Sequence, residues 1–501
     1  MRMWTQSHLC QKPQRVSSAL AAAFALVFLL LGASQPASAI PAFARKYGLR
    51  CSACHESWPM LNFFGQKFKD NGYQLMNDRD APIWQNPGYW PVVFRITPIW
   101  HRVSTGKVDV DTYSSVGGVP TATGSAIQRI SSSGFDLSGL DFHTGGTLEK
   151  NISFYLLPSS DPTGAFHFEQ VFVRFDNIGH SPWLNFKLGR FELDNLLSEK
   201  RILTLTGNGG IYQTYHFIPQ GDGNIFGQIG DNQLGIEYLG HSVDDRTRVS
   251  ASLISSSDGN VNLSTTANAY TGFFTASQAF DAGKFGVQRI GFYAMAGQAS
   301  TYYLTSGGGI PIAGSGIGNK GFSREGFVGQ FYVGPHVGLT VVTQHGSDNV
   351  WFGQGYGNAE ITDGNGGTLC TTPTGCPPNN VPGTTLAAGS QAPSWNGVTF
   401  EGHYIYSPQL IFIGRYETER MSQQANGNIC GGVACPGNLG NISTYTIGFR
   451  YNPFMTSRAG LAWHNEYNWL HQDGTGPANL TTGALTNINT GEILMGLDFD
   501  F

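Results

Sequence analysis

The last ten residues of the chain, Glu492 to Phe501, read EILMGLDFDF and alternate between apolar residues and small or acidic ones. Side chains of a β-strand point to opposite faces with a period of two, so this alternation predicts a strand with one apolar face. The apolar face consists of Ile493, Met495, Leu497, Phe499 and Phe501. Such a face packs against either a protein core or a membrane, and an ordinary edge strand is one of the two interpretations.

The composition favours the membrane. The chain has 67 glycines, 13% aromatic residues and 13% charged residues, whereas soluble domains carry about 25% charged residues. Beyond the first forty residues no run of 18 apolar residues occurs, so no membrane helix is predicted. A net charge of −5 indicates no basic surface for nucleic acid.

The same alternation recurs from Trp90 onward. In one segment Phe186 and Leu188 interleave with Asn185 and Lys187, which predicts apolar and polar faces on the same strand. About sixteen such strands are predicted, an even number. Their spans are 90–104, 134–146, 151–158, 164–178, 183–191, 231–240, 247–256, 269–280, 285–298, 322–333, 336–346, 394–407, 409–419, 442–452, 456–468 and 491–501. Segment 164–178 alternates poorly.

Short and long connections alternate between these strands. Every second connection is a short turn, at Leu148–Asn151, Gly179–Pro182, His241–Thr247, Asp281–Lys284, Gly334–Pro335, Ser407–Pro408 and Asn452–Met455. Long insertions fall in the other positions, at 105–133, 192–230, 299–321, 347–393, 420–441 and 469–490. Short turns at one end and long loops at the other are typical of bacterial outer-membrane barrels, whose short turns are periplasmic.

We therefore expect an all-β fold, an antiparallel outer-membrane β-barrel of about 16 strands over residues 90–501, with both termini periplasmic. The terminal aromatic residue fits the last strand of such a barrel. Soluble β-sandwiches also alternate apolar and polar residues, but they do not usually combine this with a secretory signal and alternating loop lengths.

The start of the chain has the pattern of a secretory signal. An uncharged apolar run at about 19–31 follows a basic start, and Ala37-Ser38-Ala39 is a small-residue cleavage site. The basic residues are Arg2, Lys12 and Arg15. We predict a signal peptide at 1–39 and a mature chain from Ile40. A retained anchor is the alternative, although the run is short for a bilayer span.

Residues 51–55 read CSACH, the spacing of a c-type haem attachment site. The thiols of Cys51 and Cys54 would add to the two haem vinyl groups, and His55 would be the proximal iron ligand. A zinc half-site would need a second ligand pair nearby, and the next histidine, His101, has no companion. A redox dithiol would be expected in a βαβ unit. We therefore expect one covalent haem c.

The other cysteines fall into two local pairs. Cys370 and Cys376 lie in one predicted outer loop, and Cys430 and Cys435 lie in another. In an oxidising compartment a short disulfide would close each loop. Cys10 precedes the apolar run and would be lost with the signal.

The haem domain is predicted at 40–89. Leu61, Phe64 and Phe68 have helical spacing, which predicts a helix face that covers a haem edge or packs a small core. Gly72 is placed to end that helix.

The second axial ligand is predicted to be Met76, which is far enough along the chain to return to the other face of the iron. Met60 is too close to His55, in the same helical run, and His101 would have to point inward from the first strand. Methionine ligation would raise the haem potential relative to two histidines. An open or different sixth ligand, with Met76 in the pocket wall, is the alternative.

The residues around CSACH resemble a known family. Residues 39–75, AIPAFARKYGLRCSACHESWPMLNFFGQKFKDNGYQL, carry one CxxCH, then P-x-L-N-x-x-G, then F-x-x-N-G-Y. In this the chain resembles the outer-membrane cytochrome–porin fusions that oxidise ferrous iron in iron-oxidising bacteria. Residues 197–219, LSEKRILTLTGNGGIYQTYHFIP, share the resemblance less closely, and the rest matches in architecture only.

The resemblance implies a monohaem cytochrome c domain that plugs the barrel, within outer-membrane lipid. It implies oxidation of extracellular Fe(II) and transfer of the electron to a periplasmic c-type cytochrome or blue-copper protein. Only Cys51, Cys54 and His55 carry over as site residues. Electron transfer needs proximity and matched potential, so no catalytic triad is expected. The alternatives are an outward electron conduit and a diffusion porin with a structural haem plug.

Two further features of the barrel region carry expectations. A row of charged residues is predicted to face the lumen, where it would guide cations or form a solvated wall. The row consists of Arg415, Glu417, Glu419, Arg450 and Glu466. Segment 192–230 is apolar for a surface loop, so we expect it to fold into the barrel against the haem domain.

Overall fold

The structure is a computed structural model. It describes residues 41–57, 60–77, 80–85, 91–116, 119–160, 164–194, 203, 232–255, 270–300, 319–348, 394–421, 429–430, 433–434, 441–455, 459–472 and 487–500. The predicted signal peptide at 1–39 and both predicted loop disulfides lie outside the residues and side chains described. No helix among the described residues is long and apolar enough to cross a membrane.

Helices and a small hairpin occupy the N-terminal segment, residues 41–85. Its elements are α1 (Pro41–Tyr47), α2 (Cys51–Cys54), β1 (His55–Ser57), β2 (Met60–Leu61) and α3 (Phe63–Asp70). β1 and β2 pair antiparallel through His55 and Leu61. The segment therefore holds the CxxCH residues in one helical turn followed directly by a strand.

Sixteen strands form the rest of the described fold. They are β3 (Val92–Val116), β4 (Val119–Glu149), β5 (Ile152–Ser160), β6 (Phe166–Phe175), β7 (Asn185–Glu192), β8 (Asn232–His241), β9 (Thr247–Ser255), β10 (Tyr270–Asp281), β11 (Val287–Ser300), β12 (Asn319–Val333), β13 (Val337–Asp348), β14 (Ser394–Ser407), β15 (Leu410–Met421), β18 (Ile442–Met455), β19 (Gly460–Gln472) and β20 (Ile488–Asp500). Two short strands, β16 (Ile429–Cys430) and β17 (Val433–Ala434), pair with each other only.

The sixteen strands close into one antiparallel barrel. Each strand pairs with its neighbours in sequence order, and β20 pairs with β3 to complete the ring. The predicted barrel of about 16 strands is confirmed. Short turns join alternate strands at one end, and the start of β3 and the end of β20 lie at that same end, because Arg95 pairs with Asp500.

Side chains divide between the two faces of the wall as the alternation predicts. On β18, Tyr445 and Ile447 are exposed on the outside, whereas Thr444, Thr446 and Arg450 are buried on the inside. Exposed large apolar side chains recur on the outer face of strands around the ring. An apolar exterior without a free sheet edge is the surface of a membrane-spanning barrel.

Two predicted connections differ from the structure, and most other strand limits shift by a few residues. Residues 105–133 were expected to form a loop, but β3 and β4 continue as a paired hairpin up to Val116 and Val119. The pattern misses this extension because a ribbon exposed on both faces needs no apolar alternation. The last turn lies after Met455 and not at Asn452–Met455, because β18 extends to Met455.

A β-bulge explains the poor alternation of 164–178. On the β5–β6 pair, Leu157 faces Gln170 but the next residue, Pro158, faces Phe168. Glu169 is therefore the extra residue, and inside and outside exchange there. A bulge inserts one residue into a strand and reverses its phase, and Pro158 lacks the N–H that a regular ladder would use at this point.

The interior contains packed apolar side chains as well as polar ones. Phe273, Tyr293 and Met295 point inward from β10 and β11 and are buried with Phe191 and Leu193. The other members of this interior cluster are Phe172, Ile254, Phe322, Val328 and Val342. Part of the bore is thus filled by protein.

Candidate functional site

Asn62 ties the CxxC turn to the helix that follows. Its side-chain amide donates to the carbonyls of Ser52, at 3.3 Å, and Ala53, at 3.1 Å. Its side-chain oxygen accepts from the N–H of Gly65 at 2.9 Å and so caps the N-terminus of α3. Its own N–H donates to the carbonyl of Cys54 at 2.9 Å. An asparagine N-cap satisfies a free helix donor, and here the same side chain also closes α2.

Gly65 allows α3 to approach the CxxC turn. A Cβ at this position would overlap the main-chain carbonyl of Cys54. Only glycine leaves room for this close backbone approach. The asparagine and glycine of the P-x-L-N-x-x-G motif therefore have separate roles. Asn62 bonds α3 to the CxxC turn, and Gly65 leaves room for the Cys54 carbonyl.

Cys54 lies in an environment that does not suit a redox dithiol. The thiol is half-buried and unbonded to another cysteine, and burial raises its pKa to about 11. Reactive dithiols instead carry a lowered pKa that favours the thiolate. Among the described residues, no group of three or more His, Cys, Asp and Glu could hold a metal ion.

The residues beside CxxCH fit a flat apolar group. Phe63 and Phe64, on the first turn of α3, are each 41% exposed, although Asn62 directly before them contacts the CxxC turn. His55 follows α2 and is half-buried on β1. Clustered exposed aromatics indicate a binding surface. An apolar macrocycle attached at Cys51 and Cys54 would cover such a surface.

Met76 lies on a loop whose backbone is hydrogen-bonded to the side chain of Asp80. The carboxylate of Asp80 accepts from the N–H groups of Leu75 and Asn77, both at 2.8 Å, on either side of Met76. Tyr47 donates to the same carboxylate at 2.7 Å. Met76 has φ 59°, a left-handed backbone that costs about 1–2 kcal/mol for a residue with a Cβ. Its side chain is 45% exposed.

Of the alternative ligands, Met60 is the less accessible one. Met60 is only 2% exposed and packs against Leu203, Ile411 and Ile413, so its thioether is covered by apolar groups. His101 lies in β3 opposite Leu494 and Gly134. The distal role of Met76 stays a prediction.

The predicted helix face is wrong in part. Leu61 belongs to β2, not to a helix, because α3 begins at Phe63. Phe64 is exposed, whereas Phe68 is buried against Phe43, Tyr47 and Tyr73. The three residues therefore do not share one surface. The predicted helix end is confirmed, since α3 stops at Asp70 and Gly72 follows with φ 68°.

The N-terminal segment spans the barrel at its short-turn end. Lys46 donates to Thr147 of β4 at 2.8 Å, and Glu56 accepts from Tyr332 of β12 at 2.6 Å. Seven strands separate β4 from β12 in either direction round the ring, β5 to β11 one way and β13–β15, β18–β20 and β3 the other. The segment thus contacts opposite walls.

The C-terminal end of α3 is bound by charged side chains of a third part of the wall. Arg174 of β6 donates to the carbonyls of Lys69, at 2.8 Å, and Asp70. Arg248 of β9 contacts the Asp70 carboxylate at 2.7 Å. Burial raises the pKa of Asp70, but Arg248, Arg174 and His241 together outweigh this effect and the pKa lies below its usual value. Cations at the C-terminus of a helix complement its free carbonyls and dipole.

Aromatic rings continue from the segment into the barrel interior. Tyr73 stacks on Phe43 at 4.7 Å between ring centres and lies 6.2 Å from Tyr155 of β5. Tyr155 in turn stacks on Phe172 of the interior cluster at 5.8 Å. Gly72 permits this approach, because a Cβ there would overlap the Asp176 carboxylate.

The charged residues expected in the lumen do lie on the inner face. Arg415, Glu417 and Glu419 are all nearly inaccessible on β15, and Arg415 contacts Glu417 at 3.1 Å. Arg450 and Glu466 are equally buried on β18 and β19.

The described part of segment 192–230 also turns inward. Leu203 packs on Met60, and its N–H donates to Glu401 at 2.8 Å. Asp194 contacts Lys69 of α3 at 3.1 Å. These contacts agree with the expectation for 192–230, whose other residues beyond Asp194 lie outside the part described.

No family model and no curated protein matches this chain. Among solved structures it is similar to the outer membrane channel DcaP of Acinetobacter baumannii, with 12% identity over 82% of this chain and 97% of that chain and a TM-score of 0.41. An anion-selective porin from Comamonas acidovorans has 11% identity over 82% and 98%, with a TM-score of 0.45. The OprB of Pseudomonas putida has 10% identity over 90% and 100%, with a TM-score of 0.41. The barrel itself is established by the strand pairing of this chain.

Sequence reasoning missed several residues that build the site. Glu56, Asp80 and Tyr332 carry no motif, and Glu56 and Tyr332 are distant in sequence. Asn62 and Gly65 stood in the motif, but their roles needed the geometry. One sequence signal was available. Asn62 stands three residues before Gly65 at the predicted start of a helix, and an N-cap side chain accepts from the N–H three residues later.

Proposed function

We propose that this chain is an outer-membrane redox protein that oxidises extracellular Fe(II) at one covalent haem c. The electron then passes to a periplasmic carrier, a c-type cytochrome or a blue-copper protein. The observation that carries the proposal is that the CxxCH segment is anchored to opposite walls of a barrel with an apolar exterior. A haem-binding motif in that position would lie across the bore at its short-turn end, where an electron taken from the bore could pass to a carrier on that side.

The residues present suit haem c. Cys51 and Cys54 would form the two thioethers, and His55 would be the proximal ligand. Asn62 and Gly65 stiffen the turn that bears them, and Phe63 and Phe64 would cover the macrocycle. When bound, haem c supplies a one-electron centre whose potential its axial ligands set.

Met76 is proposed as the second axial ligand on the ground of its backbone. A methionine in the left-handed region persists only where its surroundings hold it, and such outliers cluster at functional sites. Asp80 holds it by binding the two flanking N–H groups. An exposed thioether held in a strained loop beside a CxxCH domain is well suited to ligate iron.

The location suits iron as substrate. Fe²⁺ is soluble but ferric products are not, so the oxidation has to leave its product outside the cell. If the short-turn end is periplasmic, as in bacterial barrels, the segment faces a periplasmic carrier.

The test is anaerobic stopped-flow spectroscopy of the oxidised protein mixed with Fe²⁺. We expect rapid reduction of the haem bands in the wild type and none in His55→Ala. A matched histidine change, His336→Ala in an exposed turn, should behave as the wild type. If dithionite reduces the haem but Fe²⁺ does not, the iron proposal is wrong and outward electron transfer takes its place.

A further inference from the structure

Glu56 joins the strand that carries His55 to the barrel wall. One oxygen of its carboxylate accepts from the hydroxyl of Tyr332 at 2.6 Å. The other lies 3.1 Å from Nε2 of His403. Tyr332 belongs to β12 and His403 to β14. Both residues are rigid ring systems on barrel strands, so the hydrogen bond from Tyr332 ties the carboxylate to the wall and the His403 imidazole lies beside it.

His403 is itself held by the wall. It pairs with Gly338 across β13 and β14, and a Cβ at residue 338 would overlap the imidazole ring. The glycine therefore lets the ring lie flat over β13. The His403 side chain is 2% exposed, so its position is set by packing.

The other strand of the hairpin is anchored next to this site. Met60 of β2 packs against Ile411 and Ile413 of β15. The two-stranded hairpin is thus bound to β12, β14 and β15 together. Its attachment is separate from that of the end of α3, which contacts β6 and β9 on another part of the wall.

We propose that Glu56 is a positioning residue for His55, and that the barrel wall, through Tyr332 and His403, sets the orientation of the proximal imidazole. The inference rests on the proposed haem site and adds to it. Groups beyond the ligands orient those ligands, and their loss typically changes metal affinity or activity about 10–100-fold. Tyr332 and His403 belong to the barrel. The midpoint potential of the haem therefore depends on contact between the N-terminal segment and the barrel wall.

The test uses the haem-loaded full chain and three variants of the contact. These are Tyr332→Phe, Glu56→Gln and the double variant. Matched controls are Tyr406→Phe, an exposed tyrosine at the end of β14, and Glu149→Gln, an exposed carboxylate at the same end of the barrel. The readouts are the electron paramagnetic resonance spectrum of the ferric haem, which reports imidazole orientation, and the midpoint potential.

We expect Tyr332→Phe to alter the ferric spectrum and shift the potential, although it lies on the barrel and keeps every charge. Glu56→Gln should also raise the potential, because loss of a nearby negative charge favours the reduced centre. A glutamine at residue 56 can still accept from the Tyr332 hydroxyl, so Tyr332→Phe should change the spectrum in the Glu56→Gln background as well.

Two results would overturn the inference. Both can be told apart from a result that refutes the proposed function. A Tyr332→Phe protein with the spectrum and potential of Tyr406→Phe would exclude a role for the contact, as would a Glu56→Gln protein that matches Glu149→Gln in both readouts. A wild-type chain whose mass contains no covalent haem would instead refute the haem proposal, and this inference with it. Haem that Fe²⁺ does not reduce leaves the positioning test intact.

Discussion

Asn62 has the most contacts with the CxxC turn of any side chain described above, and its neighbour Gly65 explains why α3 can lie so near. The two residues act on the same few atoms, the carbonyls of Ser52, Ala53 and Cys54. A small domain without a large core depends on such backbone contacts to hold a ligand set.

Gly65→Ala tests the close approach. By helix propensity alone alanine should stabilise α3 by about 1 kcal/mol, but the Cβ would overlap the Cys54 carbonyl. We therefore expect the opposite, a lower yield of haem-loaded chain by mass spectrometry. Gly134→Ala, where a Cβ meets nothing within 4 Å, is the control. An unchanged yield in Gly65→Ala would mean that α3 can shift without consequence.

Met76→Ala tests the distal ligand. If Met76 binds the iron, its loss should lower the midpoint potential, since methionine ligation raises it. The methionine-to-iron charge-transfer band of the ferric protein should disappear as well. Met60→Leu, which conserves volume in an apolar cluster, should change neither. A retained band in Met76→Ala would assign the sixth position to another group.

At the scale of elements, α3 is the part of the segment that the wall binds most strongly. Its C-terminal carbonyls, the Asp70 carboxylate and the Lys69 ammonium all have charged partners on or next to barrel strands. These partners are buried, so water does not compete for them. Removing one partner of a buried pair leaves an uncompensated charge.

Arg174→Ala tests this attachment. The change removes both bonds to the end of α3 and leaves Asp176 buried without its guanidinium. A loss of about 3–5 kcal/mol is expected, and hydrogen exchange within α3 should accelerate on the order of 100-fold or more. Arg246→Ala, which breaks an exposed pair with Asp244, should have little effect. Equal exchange in the two variants would show that α3 does not depend on Arg174.

At the scale of the whole molecule, the barrel differs from an open pore because its bore contains protein. The N-terminal segment reaches from β4 to β12, and an apolar cluster fills part of the interior. Both features reduce the area left for water and ions.

Ion conductance of the reconstituted protein tests whether the bore is closed. We expect single-channel conductance well below that of an open 16-stranded diffusion porin measured in the same lipid and salt. Conductance in Arg174→Ala should rise if its α3 is released. A wild-type conductance equal to that porin would support a diffusion channel in which the segment has only a structural role.

The sequence by itself determined the barrel, its strand number and the end at which its short turns lie. Period-two alternation and loop length are local properties, so Phe186 and Lys187 already report opposite faces of one wall. It also contains the CxxCH motif, whose residues are adjacent in the chain, and the prediction of haem attachment rests on that motif. It did not identify the bulge at Glu169, where the pattern reverses without any local mark.

Only the tertiary structure decided how the CxxCH segment meets the barrel. Glu56 and Tyr332 are 276 residues apart, and Lys46 and Thr147 are 101 apart. No local pattern marks either pair. Such contacts depend on closure of the ring, which brings β4 and β12 to opposite sides of one bore. The covering of Met60 and the exposure of Met76 follow from the same closure, because a side chain's surroundings are set by what folds around it.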